Sequence, residues 1–222
     1  MAAATPPAPG GAPHDGPGLL PALSLFPLGT VLFPGGQLSL KVFEPRYLDL
    51  MSRCLRSAEA FGVVSLRQGT EVGSRAGGVE LEPVGVLAHI EEVDAEQSGI
   101  LLVRCRGGQR FRLDAQPARQ GDGLWVGPAR LLPDDPVHPP EPEMDPTVQA
   151  LSRMAASLQA EGRPSPWSGP ARLDDAAWVS NRWCELLPVP ASTRQKLMEL
   201  EDPDARLRLV DGFLRSRGVV KG

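Results

Sequence analysis

The residues with the most evident chemical potential sit in one run, Glu44-Pro45-Arg46-Tyr47. A carboxylate two positions from a guanidinium can clamp a polar ligand, and Glu44 can serve as an acid or base. The same residues also suit a helix start. Glu44 favours the positive end of the helix dipole, Pro45 fits the first helical position, and Tyr47 is placed to pack. This structural role is the expectation. A second set is basic. Arg104, Arg106, Arg110 and Arg112 alternate with apolar residues, which puts them on one face. Like charges side by side repel. Either carboxylates such as Glu91 or Glu92 lie beside them, or the face binds an anion such as RNA phosphate. A third set is apolar: Leu32, Phe33 and Pro34 lie in a loop region. Exposed, they would suit capture of unfolded polypeptide; buried, they would be core. Trp167, in Pro164-Ser165-Pro166-Trp167, is harder to place in a core. It would anchor its loop to neighbouring helices or sit in an interface.

The rest of the inventory excludes more than it offers. Of three histidines, His14 lies in a Pro/Gly-rich tail and His138 among Pro136, Pro139 and Pro140. His89 shares a strand face with Glu91 and reads as a solvated side chain. No three-histidine metal site or nucleophile–histidine pair has material here, so neither a metal nor a cofactor is expected, and no catalytic residue is assigned. Cys54, Cys105 and Cys184 are far apart, without CxxC spacing. They read as buried small hydrophobes in a reducing compartment, hence a cytoplasmic protein. A net charge of −4 argues against a general nucleic-acid binder. No window of 18 apolar residues exists to span a membrane, and Met1–Gly18 lacks the features of a secretory leader.

Glycine and proline together make 48 of 222 residues, close to a disordered composition. They are concentrated, however. Residues 1–18, 133–146 and 162–170 hold 20 of the 48 in 41 positions, so the remainder reads as folded chain. The expected organisation is a disordered tail over 1–18, a β-rich domain over 19–132, an acidic Pro-rich linker over 133–145 and a helical bundle over 146–218. The linker carries Asp134, Asp135, Glu141, Glu143 and Asp145 and no basic residue, so it accounts for the negative net charge.

Within the first part, Leu23 and Leu25 begin an alternating run, and Gln37–Val42 alternates again, with Leu38, Leu40 and Val42 on one face. Tyr47, Leu48, Met51 and Leu55 have helical spacing, predicting a helix over 45–57. Residues 61–66 and 84–93 read as strands, with a glycine-rich loop over 69–78 between them. Residues 100–113 read as a hairpin. A three-residue turn, Gly107-Gly108-Gln109, would keep Cys105 opposite Phe111 on the core face. A last strand covers about 124–132. Beyond residue 146 the period is helical. The expected caps are Asp174 for a second helix, Ser192 or Thr193 for a third, and Asp202, before Pro203, for a fourth. A β-rich part followed by helices is an α+β fold.

Three stretches carry a resemblance. One is Leu25-Phe26-Pro27-Leu28-Gly29-Thr30-Val31-Leu32-Phe33-Pro34-Gly35-Gly36, running on to Val42-Phe43-Glu44-Pro45-Arg46-Tyr47. The second is Val84-Gly85-Val86-Leu87-Ala88-His89-Ile90 with Gly107-Gly108-Gln109-Arg110-Phe111-Arg112. The third comprises Trp183-Cys184-Glu185-Leu186-Leu187, Gln195-Lys196-Leu197-Met198-Glu199 and Asp202-Pro203-Asp204-Ala205-Arg206-Leu207. Over about 22–216 the chain resembles the N-terminal substrate-binding domain of ATP-dependent Lon proteases, in the short bacterial form that stands alone. The resemblance implies a β-rich, PUA-like pseudo-barrel followed by a helical bundle, and a non-enzymatic adaptor that binds client polypeptides, with an ATP-dependent protease as a partner. The sequence departs from full-length Lon in two ways. It has no GxxxxGK[ST] phosphate loop. Its only lysines, Lys41, Lys196 and Lys221, offer no desolvated partner for a Ser–Lys dyad. Phe33, Pro34, Glu44, Arg46, Tyr47, Arg110 and Arg112 are the candidate binding residues. The alternatives are a PUA-like RNA-associated protein, tested by the arginine face, and a hydrolase of unknown type, which would need a second carboxylate beside Glu44 in a deep pocket.

Overall fold

The computed structural model describes residues 18–67, 80–163, 165–167 and 169–220. The loop expected over 69–78 lies outside the described residues, as does the expected tail apart from Gly18. The strands are β1 (Leu19–Leu28), β2 (Gln37–Val42), β3 (Phe61–Ser65), β4 (Val84–Gln97), β5 (Ile100–Leu113), β6 (Ala118–Arg119) and β7 (Trp125–Leu131). Helix α1 (Pro45–Ser57) falls between β2 and β3. A single turn of 3-10 helix at Pro142–Met144 then leads into α2 (Asp145–Ala160), α3 (Ala176–Leu186), α4 (Ala191–Glu199) and α5 (Pro203–Ser216). The fold is α+β, as the change of period implies.

One sheet of order β2-β5-β4-β3-β1-β7-β6 carries an extra β5–β7 pairing. That pairing closes β5, β4, β3, β1 and β7 into a ring, which is a pseudo-barrel. β1 and β3 run parallel, with Leu25 opposite Gly62. All other pairings are antiparallel. The alternation expected in β2 is present: Leu40 and Val42 are buried, and Gln37, Ser39 and Lys41 face out.

Residues 100–113 are not a hairpin. They form one continuous strand, and the turn lies before it, where Gln97 pairs with Ile100 around Ser98-Gly99 and Gly99 takes φ 77°. At the Gly107-Gly108-Gln109 segment the β4 register steps from Val86 opposite Arg110 to Ala88 opposite Gly107, which is a bulge. β5 changes partner across it. Its first half pairs with β2 and its end with β7. Glycine is required at 107 because a Cβ there would stand 2.2 Å from the carbonyl oxygen of Phe33. The dipeptide marks a bend where another backbone passes close, a long-range cause that a local turn rule misreads.

The helices collect around α3, whose residues Ala176–Cys184 are all buried. Its cap is Asp175, one residue beyond the expected Asp174; the carboxylate accepts from the Ala177 and Trp178 amides. α4 starts at Ala191 with Pro190 at its N-cap and no side-chain cap, so neither Ser192 nor Thr193 serves. Asp202 does cap α5, accepting from Asp204 and Ala205. Thr147 donates to Asp211 at 2.6 Å, and the Trp183 indole donates to the Thr147 carbonyl. Trp167 is buried and meets Trp178 edge-on at 5.0 Å, which anchors its loop to α3. The three cysteines are buried and free.

One apolar cluster runs from the β-body into the helices, including Phe33, Phe61, Val103, Leu151, Val179 and Leu207. The acidic segment after β7 is tied to both sides of it. The Asp135 side chain is 8% exposed and lies between Arg110 of β5 and Arg206 of α5. Glu141 binds Arg208, and the His138 carbonyl accepts from Ala176 N–H.

Candidate functional site

The end of β2 and the start of α1 build the site. Alternation in β2 turns Leu40 and Val42 inward, which sends Phe43 outward, and Phe43 is 62% exposed. Glu44 then occupies the N-cap position without a side-chain cap hydrogen bond, and Pro45 begins the helix. The Glu44 carboxylate instead binds Arg46 at 2.5 Å. Tyr47 is buried and stacks on Phe26 of β1, with ring centroids 4.0 Å apart and planes at 23°. Arg46 lies 4.9 Å over the Tyr47 ring and donates to the Gly123 carbonyl at 3.3 Å. Burial raises the Tyr47 phenol above its ordinary pKa, opposed chiefly by Arg46.

These residues border a groove of about 430 Å³. Its walls are Phe26, Pro27, Leu28, Phe43, Leu66 and Trp125, and Leu66 is half-exposed. Lys41, Arg46 and Arg119 stand along the rim. Glu44 neutralises Arg46 and is the one carboxylate among the lining residues, so Lys41 and Arg119 leave the rim cationic. The surface suits an apolar segment flanked by negative charge.

The other candidates lie elsewhere. Phe33 is fully buried beneath the glycine bulge and presents no ring to solvent. Pro34 borders a second groove of about 780 Å³ between the β-body and the helices, with Arg106, Gln109, Trp178 and Asn181. Arg110 also reaches that groove but is 3% exposed. The bulge separates it from Arg104 and Arg106, and it donates to the Leu200 carbonyl at 2.7 Å and the Met198 carbonyl at 3.2 Å. Arg104 pairs with Glu92. Arg112 is exposed, opposite Val84 and Arg130. The expected face of four arginines therefore does not exist. One is a buried strut and one is neutralised.

Sequence reasoning passed over Phe43 and Trp125, although the β2 alternation already points Phe43 outward. It also passed over Arg182. That side chain, 1% exposed, donates to the Gly35 carbonyl at 2.5 Å and the Pro34 carbonyl at 2.9 Å. Its partners lie nearly 150 residues away, and no local pattern signals them. Among the described residues, no group of three or more His, Cys, Asp and Glu could hold a metal, and no helix is long and apolar enough to cross a membrane.

An α+β protein on a closed β-body, with an open apolar groove beside its first helix, is the class these features define. The family model of the ATP-dependent protease La (LON) substrate-binding domain matches residues 22–216. The crystal structure of a Lon N-terminal domain protein from Xanthomonas campestris is 33% identical, with a TM-score of 0.70 over 87% of this chain and 98% of that one. The N-terminal domain of Mycobacterium avium complex Lon protease shares the fold at 14% identity, with a TM-score of 0.57 over 85% of this chain and 95% of that one. No curated protein matches the chain. The chain belongs to the Lon substrate-binding domain family.

Proposed function

We propose that this chain is a polypeptide-recognition module without ATPase or peptidase chemistry of its own. It takes exposed apolar segments of other proteins into the groove beside Tyr47 and passes them to a separate ATP-dependent protease. In this reading residues 19–132 form the receptor, and residues 146–218 brace it through the 133–145 segment. Glu44, Arg46 and Tyr47 shape the groove, and Pro34 and Arg110 border the second one. The three buried free thiols suit a reducing, cytoplasmic setting.

The observation that carries the reading is Phe43, 62% exposed on an apolar groove with a cationic rim. Covering an exposed phenylalanine contributes roughly 1.5–3 kcal/mol. Lys41 and Arg119 favour clients with acidic residues beside the apolar segment. Neither alternative gains a comparable observation. The arginine face behind the RNA reading is dispersed, and Glu44 faces an arginine rather than a second carboxylate.

Phe43→Ser tests the proposal. Capture of a chemically denatured client, measured by anisotropy, should weaken about tenfold, with the melting temperature unchanged because Phe43 makes little core contact. Undiminished capture would remove this groove from the function.

A further inference from the structure

A smaller cavity of about 240 Å³ opens between the Thr30–Leu32 loop, the start of β2, the Pro166-Trp167 segment, α3 and α4. It shares no lining residue with either groove. One side is apolar, formed by Val31, Leu32, Leu38, Leu186 and Trp167. The other side carries Arg182, Glu185 and Arg194.

The two guanidiniums have donors to spare. Arg182 uses its terminal nitrogens on Gly35, Pro34 and Glu185. Arg194 donates to the Leu187 carbonyl at 2.9 Å. The Nε atom of each is buried and has no partner among the described residues. A buried donor without an acceptor is unfavourable, and the planar fork of arginine matches a carboxylate. Two guanidiniums against one glutamate leave the cavity with an excess positive charge, next to a wall that accepts an aliphatic side chain.

We propose that this cavity is a carboxylate-binding pocket: Arg194, backed by Arg182, takes the carboxylate of a ligand whose apolar group lies against Leu32, Leu186 and Trp167. A free short-chain or N-acyl amino acid and the C-terminal residue of a polypeptide both present that chemistry. Glu185 makes the pocket pH-sensitive. Arg182 from α3 and Arg194 from α4 are the charged groups that face it; the Thr30–Leu32 loop, the start of β2 and Pro166-Trp167 supply none. Burial raises the Glu185 carboxyl to about 7 against the pull of both arginines. Protonated, it does not repel an incoming carboxylate, so binding tightens as pH falls through neutrality. The pocket does not depend on the polypeptide-capture reading, because a free acid tests it alone.

Titration of the whole chain with N-acetyl-leucine and with N-acetyl-leucinamide is the direct test, read by calorimetry and by the fluorescence of Trp167 in the wall. A leucine-terminated peptide with a free or amidated end forms a second arm. The acid should bind at least about tenfold more tightly than the amide, a difference of one charge-assisted hydrogen bond. Arg194→Met should abolish the preference. Arg194→Lys, which keeps the charge without the fork, should retain part of it and guards against a folding defect. The preference should shrink between about pH 6 and pH 8. Discrimination of the free acid alone assigns the pocket to small acids, and discrimination of both arms assigns it to chain ends as well. Equal binding of acid and amide, or no binding of either at millimolar concentration, overturns the proposal.

Discussion

Replacing Asp135 by Asn should destabilise the chain severely, out of proportion to the loss of one surface-segment residue. The carboxylate meets Arg110 at 2.5 Å on one side and Arg206 on the other. The two arginine side chains are 2% and 1% exposed. Burial already works against the Arg110 charge, holding its pKa below the ordinary value, and Asp135 is the strongest influence opposing it. Asn keeps the shape but leaves two buried cations without an anion, and its amide group directs donors at one of them. Breaking a buried pair from one side costs about 3–5 kcal/mol, a large share of the roughly 5–15 kcal/mol that holds a domain together. At a urea slope of about 2 kcal/mol/M, the unfolding midpoint should fall by about 2 M. Adding Arg110→Met to Asp135→Asn removes one uncompensated charge and should restore part of the loss. Recovery stays incomplete, because the Leu200 carbonyl loses one of its two donors, Arg110 and Arg206. A loss under about 1 kcal/mol would refute the reasoning. It would mean that the Leu200 and Met198 carbonyls and the Ser180 hydroxyl satisfy both arginines unaided. A double variant that adds its two losses independently would refute the coupling.

Two further effects follow from named contacts. Relative to Glu185→Gln, the parent should lose roughly 1–3 kcal/mol of stability on going from acid to alkaline pH. The folded-state carboxyl titrates near 7, above its ordinary 4.5, so the native state holds the extra proton. Parent stability therefore falls as pH rises from about 4.5 through 7. Denaturant unfolding of both proteins across that range should show a difference that grows and then levels off, and a constant difference would count against it. Gly107→Ala should cost at least about 1–3 kcal/mol, because its Cβ would meet backbone rather than a movable side chain. A thermal melt unchanged from the parent would show that β5 can shift away from Phe33.

Local rules served where the determining contact is local. The β2 alternation and the Pro45 helix start both place their elements correctly, because each depends on neighbours within a few residues. Asp202 likewise caps the helix that its Pro203 announces. Elsewhere the cause is distant. Gly107-Gly108 has the composition of a turn, yet the backbone of Phe33 dictates the first glycine and the His89 ring crowds the second. Arg110 keeps the parity of an outward residue, yet the bulge and the carbonyls near the end of α4 take it inside. Glu44, Arg46 and Tyr47 were visible as a cluster because they adjoin in sequence. Trp125 and Arg119, which complete the same groove, reach it only through the closure of the sheet. Arg182 reaches across 147 residues to Gly35, and nothing in its surroundings announces that.

The ring of strands also sets an order of events as the chain is made. β1 is the first strand of the ring to emerge, and its antiparallel partner β7 ends at Leu131, more than 100 residues after β1 begins. β1 also waits for β3, because parallel strands cannot join through a tight turn. The β4–β5 hairpin, with its two-residue turn, can form as soon as both strands are available. Ring closure depends on contacts of high sequence separation, the kind that slow folding. Until β5 and β7 arrive, Leu23 and Leu25 of β1 lack the cover of Phe111 and Ala129, so the unfinished chain displays the type of surface that the finished one is proposed to recognise in others.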